Sequence, residues 1–209
     1  MTLRDRADAY NTAYAKYPAS HLRIVTERGG DCLYGIWLIG NDYRAKSDLY
    51  GAYPPSYLTR VQSLFPDAYG TTWDVMNAGD EHRTLHAFSG SLPKGPYLRV
   101  DVNERRRPDR VMSVYDLPTH FASNQFVLTL ADPPYSAEDA REYDTPMVNR
   151  RAALAAIALV TEAHGHLVWL DTVWPMFSKR QWRTVGRIDL VRSTNHRVRL
   201  VSIFERTAA

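Results

Sequence analysis

Only one cysteine, Cys32, stands among the 209 residues of this chain. A lone thiol excludes an internal disulfide and any zinc site built from several cysteines, and it fits a reducing, intracellular compartment. Long apolar runs are missing too: none approaches the ~20 residues a membrane helix needs, so no membrane partner is expected. The N-terminal stretch MTLRDRADAYNTAYAKY mixes charge with aromatics and has no apolar centre, which excludes a secretory signal. No repeat, low-complexity tract or Ser/Gly linker offers a place to divide the chain, so it reads as one domain over 1–209. Neither sign of charge is in large excess. Lys and Arg number 26 against 23 Asp and Glu, for a net +3 and a pI near 9.0, a weak pointer to a polyanionic partner.

What is present is ordinary for a globular protein: 44% hydrophobic and 23% charged residues. Segment 3–17 predicts a helix with mixed faces. CLYGIWLI (32–39) is an apolar run leading into the turn Gly40-Asn41-Asp42. After Pro54-Pro55, the positions of Tyr57, Val61, Leu64 and Phe65 form one helical stripe, closed by Pro66. From residue 84 on, short apolar runs follow one another: TLHAFSG (84–90), YLRVDV (97–102), FVLTLA (126–131), HLVWLD (166–171), RIDLV (187–191) and VRLVSIF (198–204). Between the third and fourth lies NRRAALAAIALVTEAHG (149–165), a helix with Gly165 as its stop. Strands alternating with helices predict an α/β sheet covered on both faces. The last two runs are joined by too few residues for a parallel crossover, so they should form an antiparallel hairpin.

Three strand ends are chemically marked, and in an open α/β sheet ligands bind beyond such carboxyl ends. The first is the small-residue turn Phe88-Ser89-Gly90-Ser91-Leu92. The second is Asp101, followed by Val102, where a carboxylate suits the two hydroxyls of a ribose. The third is Asp132-Pro133-Pro134-Tyr135. A planar amine conjugated to an aromatic ring is a poor nucleophile because its lone pair is shared with the ring. Here a carboxylate and a carbonyl held by two prolines suit the localising of that pair, and a tyrosine face suits the stacking of the ring. Asp116-Leu117 supplies a further acidic candidate, placed to accept a hydrogen bond from an adenine amine. Arg192, Asn195 and His196 mark the last turn, and Lys179 and Arg180 belong to a basic C-terminal third; together these five are candidates for substrate contact. The segment 136–150 is either a connecting loop or a lid over the substrate. His164 and His166 flank Gly165 and read as structural.

On these motifs the chain resembles the class I S-adenosylmethionine-dependent methyltransferases over roughly residues 32–206, and within them the amino-methyltransferases with an Asp/Asn-Pro-Pro-Tyr/Phe motif. The resemblance implies a Rossmann-like, mostly parallel seven-stranded sheet with a C-terminal antiparallel hairpin and helices on both faces. It implies S-adenosylmethionine as cofactor, with Phe88 to Leu92 on its methionine side, Asp101 and Val102 at its ribose, and Asp116 and Leu117 flanking its adenine. Block 34–66 is similar to the N-terminal element of many DNA adenine methyltransferases, which adds Trp37, Gly40, Asn41, Tyr53 and Pro54 to the cofactor contacts. Residues 1–83 then form an N-terminal helical, cofactor-contacting portion and 84–206 the catalytic core. Where the family turn carries a second glycine this chain has Ser91, a position that would be strained if it required positive φ.

Asp132 to Tyr135 are then the catalytic residues, Asp132 and the Pro133 carbonyl accepting the two amine hydrogens, with neither metal nor nucleophile required. Aspartate at the first motif position resembles the adenine N6 enzymes, so the expected substrate is adenine in nucleic acid, DNA before RNA. About seventy residues follow Tyr135, too few for a separate target-recognition domain, so specificity would come from loops, a homodimer mate or another protein. The alternatives are an RNA guanine-N2 methyltransferase and a non-catalytic subunit of a partner complex.

Overall fold

A computed structural model of the chain describes residues 1–40, 53–69, 82–193 and 196–208. Helix α1 (Leu3–Ala13) starts on a capping box, in which Thr2 and Asp5 satisfy each other's backbone N–H groups. It is followed by a hairpin of β1 (Arg23–Glu27) and β2 (Gly30–Ile39) and by α2 (Tyr57–Leu64), whose expected stripe is buried at Tyr57, Val61, Leu64 and Phe65. Next come β3 (Thr84–Ala87), β4 (Leu98–Asp101), β5 (Arg110–Val111), α3 (Leu117–His120) and β6 (Phe126–Ala131). The chain closes with α4 (Ala137–Glu142), α5 (Arg150–Val160), β7 (Thr161–Asp171), β8 (Trp182–Arg192) and β9 (Val198–Arg206).

The nine strands among the described residues belong to one sheet in the order β1-β2-β8-β9-β7-β6-β3-β4-β5. The sheet is mostly parallel, with antiparallel pairing only at β1/β2, β7/β9 and β8/β9. Nine strands replace the seven implied by the resemblance. The unforeseen ones are edges: β1 is exposed along most of its length and β5 has two exposed residues, so neither shows the apolar run that announces a buried strand. The last two strands pair antiparallel, Leu190 opposite Arg199 and Val191 opposite Val198.

Side chains alternate across the sheet into two cores. On one face Leu128, Leu130, Val168, Leu170, Ile188 and Val201 meet Tyr10 of α1 and Val61 and Leu64 of α2. On the other Leu85, Val100, Phe126 and Trp169 meet Leu154 and Ile157 of α5. Helix α5 stops at Val160, not at Gly165. The Thr161 hydroxyl donates to the Ile157 carbonyl at 2.8 Å, and the chain turns directly into β7. Between the pairs Phe126/Thr161 and Leu128/His166 the register shifts, so residues 162–165 form a bulge. A Cβ on Gly165 would lie 3.0 Å from the Glu162 carbonyl oxygen and 3.1 Å from that of Val127. Glycine is required there by close backbone approach, not as a helix stop.

The chain leaves β3 toward β4 and β5 on one side, and leaves β6 toward β7 on the other. β3 and β6 are neighbours, so a topological switch point opens between their carboxyl ends, which is where open α/β sheets bind ligands.

Candidate functional site

A cavity of about 910 Å³, its open mouth included, lies over that switch point. Four strand ends build its walls: Phe88 and Gly90 after β3, Asp101 to Asn103 after β4, Ser113 to Tyr115 after β5, and Asp132 to Tyr135 after β6. Three of these are the ends marked by sequence.

The turn after β3 is anchored to β4. Ser89 N–H donates to the Val100 carbonyl at 3.0 Å, and Gly90 N–H donates to Asp101 Oδ2 at 2.8 Å. The other carboxylate oxygen of Asp101 accepts from Asn103 N–H at 2.9 Å. Each oxygen keeps lone-pair capacity for a further donor, so the carboxylate is oriented but not exhausted. Positive φ falls on Phe88 (59°) and Gly90 (53°), and not on Ser91. The serine in place of a second glycine is therefore unstrained. Arg106 also lines the cavity, and its Nη1 is buried with no hydrogen-bond partner. The acceptor capacity left on Asp101 suits a ligand that donates two vicinal hydroxyls there.

At the end of β6, Ala131 and the two prolines are buried and Asp132 opens in part onto the cavity. The Tyr135 hydroxyl donates to Asp132 Oδ1, and the Arg199 guanidinium lies over the Tyr135 ring, 4.8 Å from its centroid. Burial pushes the Asp132 carboxyl up to about 7, against the opposing pulls of the Tyr135 bond and the Arg199 charge. Although part of its surface meets the cavity, the surrounding mass of protein dominates over that contact. Among the described residues Oδ2 takes no hydrogen bond, so one acceptor position faces an incoming group.

The turn is braced from below by residues the sequence reading missed. Asp171, fully buried at the end of β7, accepts from Arg150 Nε at 2.6 Å, from Trp169 Nε1 at 3.1 Å and from Thr172 N–H at 2.7 Å. Arg150 Nη2 reaches on to the Tyr135 carbonyl at 3.1 Å. An acidic residue closing an apolar run is the signal that picked out Asp101 and Asp132, and HLVWLD carries it equally. The segment after the turn forms the cavity's roof with Tyr143 and Thr145 to Val148. It is tied down where Asn103 Nδ2 donates to the Tyr143 carbonyl at 3.2 Å and Asn149 N–H to the Tyr115 hydroxyl at 2.8 Å.

Leu117 is buried in the core beside α5 and Asp116 is exposed, so the wall after β5 is made by Ser113 to Tyr115 in their stead. Trp37 is fully buried in β2, stacked on Tyr10 at 5.7 Å, away from the cavity. Gly40 is exposed just past β2, and Asn41 lies outside the described residues. Pro54 is buried, and Tyr53 stacks on Tyr57 at 5.3 Å while its hydroxyl meets His86 Nδ1 at 3.1 Å. Burial raises both phenols, and the nearby Asp132 charge adds to the rise, so this aromatic cluster backs the Asp132 turn. Ser91 and Leu92 complete the turn after β3, with the Leu92 carbonyl accepting from Arg99 Nη1 at 2.7 Å.

The five candidate substrate contacts do not form one group. Lys179 and Arg180 precede β8 at the amino ends of the strands, as the pairing of Trp182 with Arg206 requires, and so lie at the opposite pole from Asp132. Arg192 and His196 flank the β8–β9 turn at the cavity's end of the sheet, where Ser193 N–H bonds the Ile39 carbonyl at 3.0 Å. Asn195 lies outside the described residues. His164 contacts Glu205 at 3.1 Å, and the His166 ring packs tilted against Phe65, 5.1 Å between centroids.

No family model and no curated protein matches the chain. Among solved structures it is similar to TrmN from Thermus thermophilus, at 17% identity and TM-score 0.40, over 60% of this chain and 44% of that one. It is also similar to a 1,6-didemethyltoxoflavin-N1-methyltransferase of Burkholderia thailandensis with bound S-adenosylhomocysteine, at 15% identity and TM-score 0.42, over 75% and 92%. A third likeness is to the 16S rRNA N2 methyltransferase RsmC of T. thermophilus in complex with AdoMet and guanosine, at 12% identity and TM-score 0.38, over 90% and 45%. The chain thus spans less than half the length of TrmN and of RsmC.

Proposed function

We propose that this chain is an S-adenosylmethionine-dependent N-methyltransferase acting on the N6 amine of adenine in nucleic acid, DNA before RNA. The observation that carries this reading is the position of Asp132 to Tyr135 at the switch point, opening on the same cavity as Asp101 and the Gly90 turn. When bound, the cofactor supplies an electrophilic methyl group on a sulfonium. Phe88 and Gly90 would hold its methionine side, Asp101 its ribose hydroxyls, and Ser113 to Tyr115 its adenine, under the roof of Tyr143 and Met147.

The chain's own residues then act on the amine. One amine hydrogen is donated to Asp132 Oδ2 and the other to the Pro133 carbonyl, which draws nitrogen toward tetrahedral geometry and frees its lone pair. Pro133 and Pro134 fix the backbone of the turn, and the Arg150 bond to the Tyr135 carbonyl fixes its exit. Tyr135 offers a stacking face to the target ring, which in duplex DNA must first leave the helix. Rate comes from this positioning.

The test is incubation with labelled S-adenosylmethionine and separate pools of duplex DNA, single-stranded DNA and RNA, followed by nucleoside mass spectrometry. Label on adenine N6 is expected, and label on guanine N2 would replace the substrate assignment. Asp132→Ala is expected to lower transfer by at least about 100-fold while binding cofactor normally. Retained turnover in that variant would falsify the role given to the carboxylate.

A further inference from the structure

The sheet beyond Asp132 carries two cationic side chains that neither hold the cofactor nor accept the amine hydrogens in the reading above. Arg199 stands opposite Leu190 in the β8/β9 ladder, and Arg192 lies two residues further along β8. That places the pair on diagonal positions, roughly 7–8 Å apart. Strand alternation puts both on the face where Leu190 and Val201 enter the core. Arg199 lines the cavity together with Asp132 and lies over the Tyr135 ring at 4.8 Å. Among the described residues no hydrogen bond or ion pair engages its guanidinium, and a stacked guanidinium keeps its in-plane N–H groups available. Arg192 Nε is buried with no hydrogen-bond partner. Like charges on neighbouring strands repel, and an unsatisfied buried donor is costly. An anion seated between the two relieves both.

Topology indicates whose anion it is. The residues fitted to the cofactor follow β3, β4 and β5, on one side of the switch point. β9 lies on the other side, beyond β6 and β7, so Arg199 flanks the place where the target ring enters. Guanidinium groups pair in bidentate fashion with phosphate oxygens. We propose that Arg199 and Arg192 form a phosphate subsite for the target strand, next to the base whose amine is held at Asp132. This rests on the methyl-transfer reading above. The substrate is then a nucleotide unit carrying its phosphate, and a free nucleoside lacks the group this subsite holds.

The test is fluorescence anisotropy with a labelled single-stranded oligodeoxynucleotide containing one adenine, in saturating S-adenosylhomocysteine, over a series of salt concentrations. Arg199→Gln is expected to weaken binding about tenfold and to make the plot of log K against log salt shallower by about one phosphate contact. Arg199→Lys should keep most of that slope, since the charge remains. Arg4→Gln, exposed on α1, should change neither. Calorimetry should give wild-type affinity for S-adenosylhomocysteine in Arg199→Gln, which also shows that the variant is folded. An Arg199→Gln protein with wild-type affinity and slope overturns the subsite, as does an equal loss in Arg4→Gln. Wild-type protein that binds the cofactor product but no oligonucleotide overturns it and leaves methyl transfer standing. Wild-type protein that binds neither removes both.

Discussion

In the proposed reaction Asp132 accepts an amine hydrogen best as a carboxylate, yet burial holds its pKa up at about 7. Transfer should therefore rise with pH, by up to about tenfold per unit below pH 7, and level off above it, because the carboxylate is a much stronger acceptor than the neutral acid. The check is kcat/KM from about pH 5.5 to 8.5, and a flat profile contradicts the assignment. Asp171 shows the other way to keep a buried carboxylate: it is fully enclosed, but Arg150, Trp169 and two backbone N–H groups surround it. Removing one partner of such a pair strands the other, at about 3–5 kcal/mol. Asp171→Ala should lose stability of that order in urea unfolding, and a loss below about 1 kcal/mol would show that Arg150 finds another partner.

Helix α5 and strand β7 show how an element boundary is set by contacts that no local pattern displays. A run of alanines and leucines ending in Gly165 reads as one long helix with a glycine stop. A helix-stop glycine needs positive φ, whereas the positive φ in this bulge belongs to His164 (63°) and not to Gly165. The glycine instead makes room for the backbones of Glu162 and Val127. A Cβ there meets two carbonyl oxygens that cannot swing aside, so Gly165→Ala should cost about 1–3 kcal/mol as overpacking. A neutral result in thermal unfolding would restore the reading of a dispensable helix stop. The same register shift lets His166 face the end of α2, where its ring packs tilted against Phe65.

Across the whole molecule, stability against pH follows from three buried groups pulling in two directions. Burial lowers His86 to about 3 and His166 to about 4, below the usual 6.5. The unfolded chain then binds two protons that the folded chain refuses, and stability is lost as pH falls below about 6.5. Asp132 has the opposite sign. Its raised pKa means that the folded chain holds a proton the unfolded chain has released, a contribution present at low pH and lost as pH rises through about 7. The urea midpoint should climb from about pH 4.5 to 6.5 and level off near pH 7, the two histidines outweighing Asp132 over that range. Asp132→Asn should make the climb steeper, and a midpoint highest at pH 4.5 would refute the burial of the two histidines.

Local chemistry was enough to reveal much of this protein. Apolar runs marked the inner strands, a stripe marked α2, and acidic or small residues at three strand ends marked most of the cavity wall, because those signals lie within a few consecutive residues. The exposed edges β1 and β5 gave no such signal, and Asp116 and Leu117 read as a ligand pair until the fold turned one into solvent and the other into the core. Pairing across the sheet decided the rest. It brought Arg199, some 64 residues beyond Tyr135 in sequence, over that ring, set Arg150 between Asp171 and the turn at Asp132 to Tyr135, and sent Lys179 and Arg180 to the far pole. Such placements depend on strand order and register, which are properties of the folded sheet and appear in no stretch of residues read alone.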